Sequence, residues 1–262
     1  MTQSTGLVLD LSVTKSVGIK AAISACLIIT VLYLVLQPYL DILYVLSNTS
    51  EPIFSLVPFL VALYAVRQRN FAFVSSTRWL VFGFLLWFLG EATYTTYALF
   101  FGIAIPYPSL ADFFWLSGYP FVLVGMITFL RQFRFALNRR TVALAFSISI
   151  AVTGLIVVSL VLPVISSSAD LMENIVGLAY PIVDVTLLFA SILGALLFRG
   201  GKVGRGWYWL VIAVVLFSLG DILFSYLTAK GLYYDGNPLD LFYDYAYIFF
   251  GLSIYAQLKH TW

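Results

Sequence analysis

Three carboxylates lie inside apolar runs of this chain: Glu91, Asp184 and Asp221. A charged group at mid-span costs about 2.5–3.5 kcal/mol or more, so such a residue is by default a candidate for function. The chemistry open to it is the binding of a ligand, a cation or a proton. The competing use is a helix–helix hydrogen bond that holds a bundle together. Three more acids, Asp112, Asp240 and Asp244, fall in the first turns of predicted helices, where a carboxylate suits the positive end of the helix dipole. Pro108-Ser109-Leu110-Ala111-Asp112 and Pro238-Leu239-Asp240 read as helix starts, with Ser109 as a cap. Helical spacing puts Asp112, Trp115 and Tyr119 on one face, Asp240, Asp244 and Tyr247 on another, and Glu91 with Tyr94 on a third. Together these predict an acid–aromatic pocket open to the outer side, suited to a cationic or polar small molecule. The candidate ligand-binding set is therefore Glu91, Tyr94, Asp112, Trp115, Tyr119, Asp184, Asp221, Asp240, Asp244 and Tyr247.

The pattern occurs twice. Trp79-Leu80-Val81, Leu89-Gly90-Glu91, Asp112-Phe113-Phe114-Trp115 and Tyr119 are matched by Trp209-Leu210-Val211, Leu219-Gly220-Asp221, Asp240-Leu241-Phe242-Tyr243 and Tyr247. The offset is 130 residues at the Leu-Gly-acid step and 128 at the later Asp and Tyr. Upstream, Glu51-Pro52-Ile53 lines up with Tyr180-Pro181-Ile182. Four helices are then followed by four, and an even number per unit keeps both copies in one orientation, a parallel repeat with a natural cavity at its interface.

Composition sets the elements that must carry these residues. Hydrophobic residues make up 62% of the 262 and charged ones 10%, well below the roughly 25% charged of soluble domains. The expected fold is all-α: a polytopic membrane protein of eight transmembrane helices, near 18–37, 51–67, 78–101, 110–131, 141–163, 173–199, 207–229 and 239–258. Pro38 and Pro163 should end the first and fifth. The segment after Pro38, Tyr39-Leu40-Asp41-Ile42-Leu43-Tyr44, either extends the first helix or lies at the interface. The units are 1–17, a cytoplasmic tail; 18–135, the first four-helix repeat; and 136–262, the second repeat with a short cytoplasmic tail. Thirteen of the fourteen basic residues fall on one side of this layout and only Lys230 on the other. The positive-inside rule then places both termini in the cytoplasm of a cell membrane. Asp41, Glu51, Asp170, Glu173 and Asp235 are left outside.

Several functions are excluded. No stretch is long enough to fold as a soluble domain, so no kinase, cyclase or nucleotide-binding module is expected. Residues 1–16 do not read as a cleavable signal. Cys26 is alone, so no intrachain disulfide forms, and His260 is the one histidine. No metal or cofactor is therefore expected. Gly200-Gly201-Lys202-Val203-Gly204-Arg205-Gly206 lacks phosphate-loop spacing and reads as a flexible turn. Asn48-Thr49-Ser50 matches a glycosylation sequon on the outer side. Lys230 is badly placed for a retinal Schiff base.

The phrases Pro108-Ser109-Leu110-Ala111-Asp112-Phe113-Phe114-Trp115, Tyr119-Pro120, Ala179-Tyr180-Pro181-Ile182-Val183-Asp184 and Leu219-Gly220-Asp221 resemble the multi-helix membrane-sensor domains at the N-terminus of bacterial diguanylate cyclases and sensory histidine kinases. The resemblance spans about 20–258. It implies perception of a signal in or outside the membrane and its transfer to a cytoplasmic output module. This sequence stops at Trp262 without one, so a stand-alone sensor, a subunit of a separate partner or a repurposed domain is expected. A second resemblance, through Phe217-Ser218-Leu219-Gly220-Asp221, is to lysoplasmalogenase-like membrane hydrolases, whose His-containing segment has no counterpart here. The expectation is a non-enzymatic membrane protein that binds a small ligand and couples to a cytoplasmic-side protein through the loops Arg131–Arg140 and Arg199–Arg205. The bilayer is a partner and nucleic acid is not. A lipid hydrolase, a proton-coupled carrier and a structural subunit of a membrane complex are the alternatives.

Overall fold

The structure is a computed structural model and describes residues 11–103, 105–156, 171–198 and 202–258. Among these the chain forms eight α-helices and no strand. They are α1 (Leu11–Leu36), α2 (Leu40–Val66), α3 (Val74–Thr95), α4 (Leu110–Arg131), α5 (Arg139–Ile156), α6 (Leu171–Leu197), α7 (Lys202–Ala229) and α8 (Asp240–Leu258). A π-helical turn, Thr96–Phe101, continues α3 and ends at Gly102, whose φ of +59° is left-handed. Among the described residues five segments are long and apolar enough to cross a membrane: Val17–Leu36, Leu40–Val66, Leu110–Arg131, Leu171–Leu197 and Val203–Thr228. A helix suits that setting because its backbone groups are satisfied within the segment. Leu27, Ile28, Val31, Leu34 and Val35 of α1 and Ile53 and Leu60 of α2 point outward. A contiguous apolar surface of this kind is rare on a soluble monomer.

A helix overlaps each of the eight expected places, five of them with the length and apolarity of a span among the described residues, and three readings are corrected. The segment after Pro38 is neither a tail of α1 nor a separate interfacial piece; α2 begins at Leu40 and runs through it. Glu51 is consequently mid-helix rather than at a helix start. The predicted flexible turn at 200–206 is helical from Lys202 onward. Gly206 packs so closely on α8 that an added Cβ would stand 3.0 Å from the Ser253 carbonyl oxygen. The expected stop at Pro163 lies outside the described residues.

Three helices carry internal prolines: Pro52 and Pro58 in α2, Pro120 in α4 and Pro181 in α6. Each removes one backbone donor. At Pro52 the orphaned acceptor is the Asn48 carbonyl, and Thr95 of α3 donates to it at 2.6 Å. A neighbouring hydroxyl thus replaces the missing bond, as packed helices in hydrocarbon permit. Asn48 itself is buried, with its amide donating to Tyr44 O and to Asp235, so the Asn48-Thr49-Ser50 sequence is not presented for glycosylation.

Each run of three helices packs in sequence, α2 on α3 on α4 and α6 on α7 on α8. The two runs then meet crosswise, α2 against α8 and α4 against α6. Helix α1 lies on α8 and α2, and α5 on α6. At the centre Trp87 stacks on Phe217, with centroids 4.6 Å apart and planes 17° from parallel. Tyr119 and Phe250 pack edgewise or tilted around it at 5.3 and 5.4 Å. A second aromatic cluster, Phe129, Phe133, Phe198 and Trp207, fills the end nearest the α4–α5 connection.

Glycine sets the closeness of α3 and α4. A Cβ at Gly118 would stand 3.0 Å from the Gly83 carbonyl oxygen and against the Trp87 indole. Small residues let helix backbones approach in this way. Gly118→Val is expected to force the pair apart and cost about 1–3 kcal/mol, read as a lower midpoint of thermal unfolding in detergent. An unchanged midpoint would show that the contact is loose.

Candidate functional site

Where the two runs of helices meet, a cavity opens with about 660 Å³ of non-atom space, its open mouth included. Four acids reach its wall: Glu51 from α2, Glu91 from α3, Asp112 from α4 and Asp221 from α7. Between them stand the rings of Tyr94, Trp115, Tyr119, Tyr180, Phe217, Phe224 and Tyr243, with Tyr107 and Tyr233 from connections and Ser225 completing the lining. No Lys, Arg or His is among these residues.

The two acids of the repeated Leu-Gly-acid step are held in the same way. Glu91 accepts from the Trp115 indole N–H at 3.1 Å and from the Tyr247 hydroxyl at 2.5 Å, both at Oε1. Asp221 accepts from Tyr243 at 2.9 Å on Oδ1 and from Tyr119 at 2.5 Å on Oδ2. Trp115 and Tyr243 hold the same place in the two sequence copies, and so do Tyr119 and Tyr247. Each acid therefore takes one bond from the next helix of its own copy and one from the other copy. The tyrosines are exchanged.

Tyr119 has a second carboxyl neighbour, Asp184 of α6, 3.0 Å from its hydroxyl oxygen. A phenol has a single hydrogen. With carboxyl oxygens on both sides, one of the two carboxyl groups must supply the second hydrogen. Asp184, 3% exposed, keeps its other oxygen, Oδ2, without a partner, which suits the group that donates.

Two of the first-turn acids, Asp112 and Asp240, accept hydrogen bonds at their helix starts and from tyrosines. Asp112 closes a capping box: its Oδ2 accepts from the Ser109 N–H at 2.7 Å and the Ser109 hydroxyl at 2.9 Å. The Ser109 oxygen in turn accepts from the Ala111 N–H at 3.2 Å. The Asp112 Oδ1 faces Tyr180, which donates at 2.8 Å. Asp240 accepts from the Gly236 N–H at 2.8 Å and from Tyr233 at 3.2 Å. Gly236 has φ +90°, a conformation that only glycine adopts without strain. The same α7–α8 connection is tied to the first half through Asp235, which accepts from Tyr94 at 2.9 Å and from Asn48 at 3.3 Å. Tyr107 and Tyr233, both in connections, have phenol pKa values raised first by burial and then by a nearby carboxylate, Asp112 and Asp240 respectively. Both stay protonated and able to donate.

Of the ten candidate residues, Glu91, Tyr94, Asp112, Trp115, Tyr119 and Asp221 line the cavity. The other four stand one layer behind. Tyr247 and Asp184 bond to Glu91 and Tyr119 from outside the lining. Asp240 is turned to its own helix start. Asp244, fully buried, accepts from Ser50 at 3.0 Å, and its Oδ1 has no partner. The candidate set lacks Glu51, Tyr107, Tyr180, Phe217, Phe224, Ser225, Tyr233 and Tyr243. Tyr233 and Tyr243 nonetheless belong to the outer-side cluster of Tyr226, Tyr233, Tyr234, Tyr243, Tyr245 and Tyr247, denser than an interfacial belt requires, that the sequence also offers for binding. The repeat carries a signal for three of the eight. Glu51 and Tyr180 align with each other in the two copies, and Tyr243 aligns with Trp115. Among the described residues no group of three or more His, Cys, Asp or Glu is placed to hold a metal ion. Comparison with known proteins supplies no relative to read the site by: no family model, no curated protein and no solved structure matches this chain.

Proposed function

We propose that this chain is an integral membrane ligand-binding protein of the sensor type. It crosses a cell membrane eight times as two parallel four-helix repeats, with both termini in the cytoplasm. A small molecule enters the acid–aromatic cavity from the outer side. Occupancy shifts the two repeats against each other and is read by a protein partner at the cytoplasmic-side segments 131–140 and 199–205, as the resemblance to membrane-sensor domains implies.

The observation that carries this reading is the exchange of tyrosines at the cavity wall. Tyr119 and Tyr247 each donate to the acid of the opposite copy, so the wall is also the seam between the halves. The crosswise packing of α2 on α8 and α4 on α6 supports a two-fold relation between them. A ligand that competes for Glu91 or Asp221 must disturb that seam. Such a ligand favours one arrangement over another only by its differential affinity for the two, and bonds that cross the seam supply that difference.

The reading is tested by thermal unfolding of the detergent-purified protein against lipids, amines, metal ions and neutral metabolites. Ligand binding to the folded state raises the midpoint by mass action, by about 2.7 kcal/mol of apparent stability at a hundredfold excess over Kd. At least one class should stabilise the native chain, and Glu91→Gln and Asp221→Asn should both abolish the gain. If no compound in the panel shifts the midpoint and both variants are merely less stable, the acids hold the fold and the binding reading is wrong.

A further inference from the structure

We infer that the ligand is a small organic cation, an amine or a quaternary ammonium ion. Its charged head would sit between the Glu91 and Asp221 walls, with its apolar part against the aromatic rings. This inference rests on the reading of the cavity as a binding site and narrows it to one class of chemistry.

The argument is an inventory of hydrogen-bond donors. Five lining tyrosines give their hydroxyl hydrogens to carboxyl groups: Tyr94 to Asp235, Tyr119 to Asp221, Tyr180 to Asp112, Tyr233 to Asp240 and Tyr243 to Asp221. The Trp115 N–H is taken by Glu91, and the Ser225 hydroxyl by the Asp221 backbone carbonyl. Only the Tyr107 hydroxyl, in the α3–α4 connection, has no acceptor among the described residues. Almost no donor is left for a ligand, whereas carboxylate lone pairs and ring faces remain. An anion would meet carboxylates and no positive charge. A sugar or other neutral polyol would find acceptors but nothing to donate to its own oxygens. A cation rich in N–H or weakly hydrated C–H groups meets what the wall offers.

Inorganic cations fit less well. They require several oxygens converging on one point at short range, and no such group of ligating side chains occurs among the described residues. The wall acids come from four separate helices, with Glu51 and Glu91 a hydrogen-bonded pair rather than part of a convergent group of three or more. Aromatic rings with carboxylates suit a larger, softer cation held partly by ring quadrupoles.

The test uses isosteres on the intact chain. Phenethylammonium, 2-phenylethanol and phenylacetate share a ring and a two-carbon frame or close to it, and differ in charge. Tetramethylammonium supplies a cation without a ring. Binding to the purified protein is measured by calorimetric titration together with the thermal midpoint. Phenethylammonium should bind and stabilise, and the neutral and anionic analogues should bind at least tenfold more weakly. Asp221→Asn or Glu91→Gln should weaken the cation tenfold or more. Because those acids also hold the fold, Phe224→Leu provides a second variant. It removes a ring from the wall without touching a hydrogen bond, and should weaken the cation severalfold. Equal binding of 2-phenylethanol or phenylacetate overturns the inference, as does failure of both cations to bind or indifference of cation binding to all three variants. A neutral or anionic ligand found in the broader panel would leave the binding site standing and remove only its assignment to cations.

Discussion

Trp87→Ala should be the most damaging single substitution in the chain, lowering stability by about 3–5 kcal/mol. Trp87 is fully buried at the point where α3, α4, α7 and α8 meet. Its ring stacks on Phe217 and touches Tyr119, Phe84 and Phe250. Its indole N–H donates to the Trp115 carbonyl at 3.1 Å. Truncation would empty a space beneath the cavity floor and orphan that carbonyl. It would also let Phe217, itself a lining residue, tip out of the wall. Trp87→Phe keeps a ring and should lose much less. The check is the midpoint of chemical or thermal unfolding in detergent, followed by helical circular dichroism. Equal loss in the two variants would mean that the hydrogen bond, not the packing, is what matters there.

The second large effect is a coupling. Tyr119→Phe paired with Asp221→Ala, and Tyr247→Phe paired with Glu91→Ala, form two double-mutant cycles. Each single change removes one end of a buried bond, leaves its partner unsatisfied and should cost about 1–3 kcal/mol or more. Each pair should show an interaction of about 0.5–3 kcal/mol, because the residues touch. The mismatched pair, Tyr119→Phe with Glu91→Ala, shares no bond and should be nearer additive. Similar coupling in the two matched cycles is the energetic signature of a repeated seam. A strong coupling in one and none in the other would show that the sequence repeat is not an energetic one.

Much of this was legible from residue types alone. Apolar length placed the eight helices, and the capping sequence at Ser109 fixed the start of α4. The acid-to-tyrosine spacing singled out six residues that do line the cavity. What escaped the sequence is tertiary. The sequence layout starts a helix at Glu51 and leaves it among the outer-side charges. The helix instead passes through Pro52, since Thr95 on a different helix serves the carbonyl that proline leaves bare. Nothing local to residues 48–52 reveals that hydroxyl. Asp244 and Tyr247 were read as site residues because they share a face with Asp240. Which face of a helix meets a cavity is set by its neighbours, and α1 and α2 cover the one that carries Asp244. Tyr180 was passed over for a simpler reason: its partner, Asp112, is 68 positions away.

The exchanged tyrosines also bear on assembly. Glu91 and Asp221 each take one bond within their own half of the chain and one from the other half. The bonds between the halves therefore do not depend on the peptide link that joins them. Residues 1–135 and 136–262, expressed together as separate chains, should then recover the whole fold, while either alone should fail to accumulate. The halves would then be held together by the same hydroxyls that bond Glu91 and Asp221.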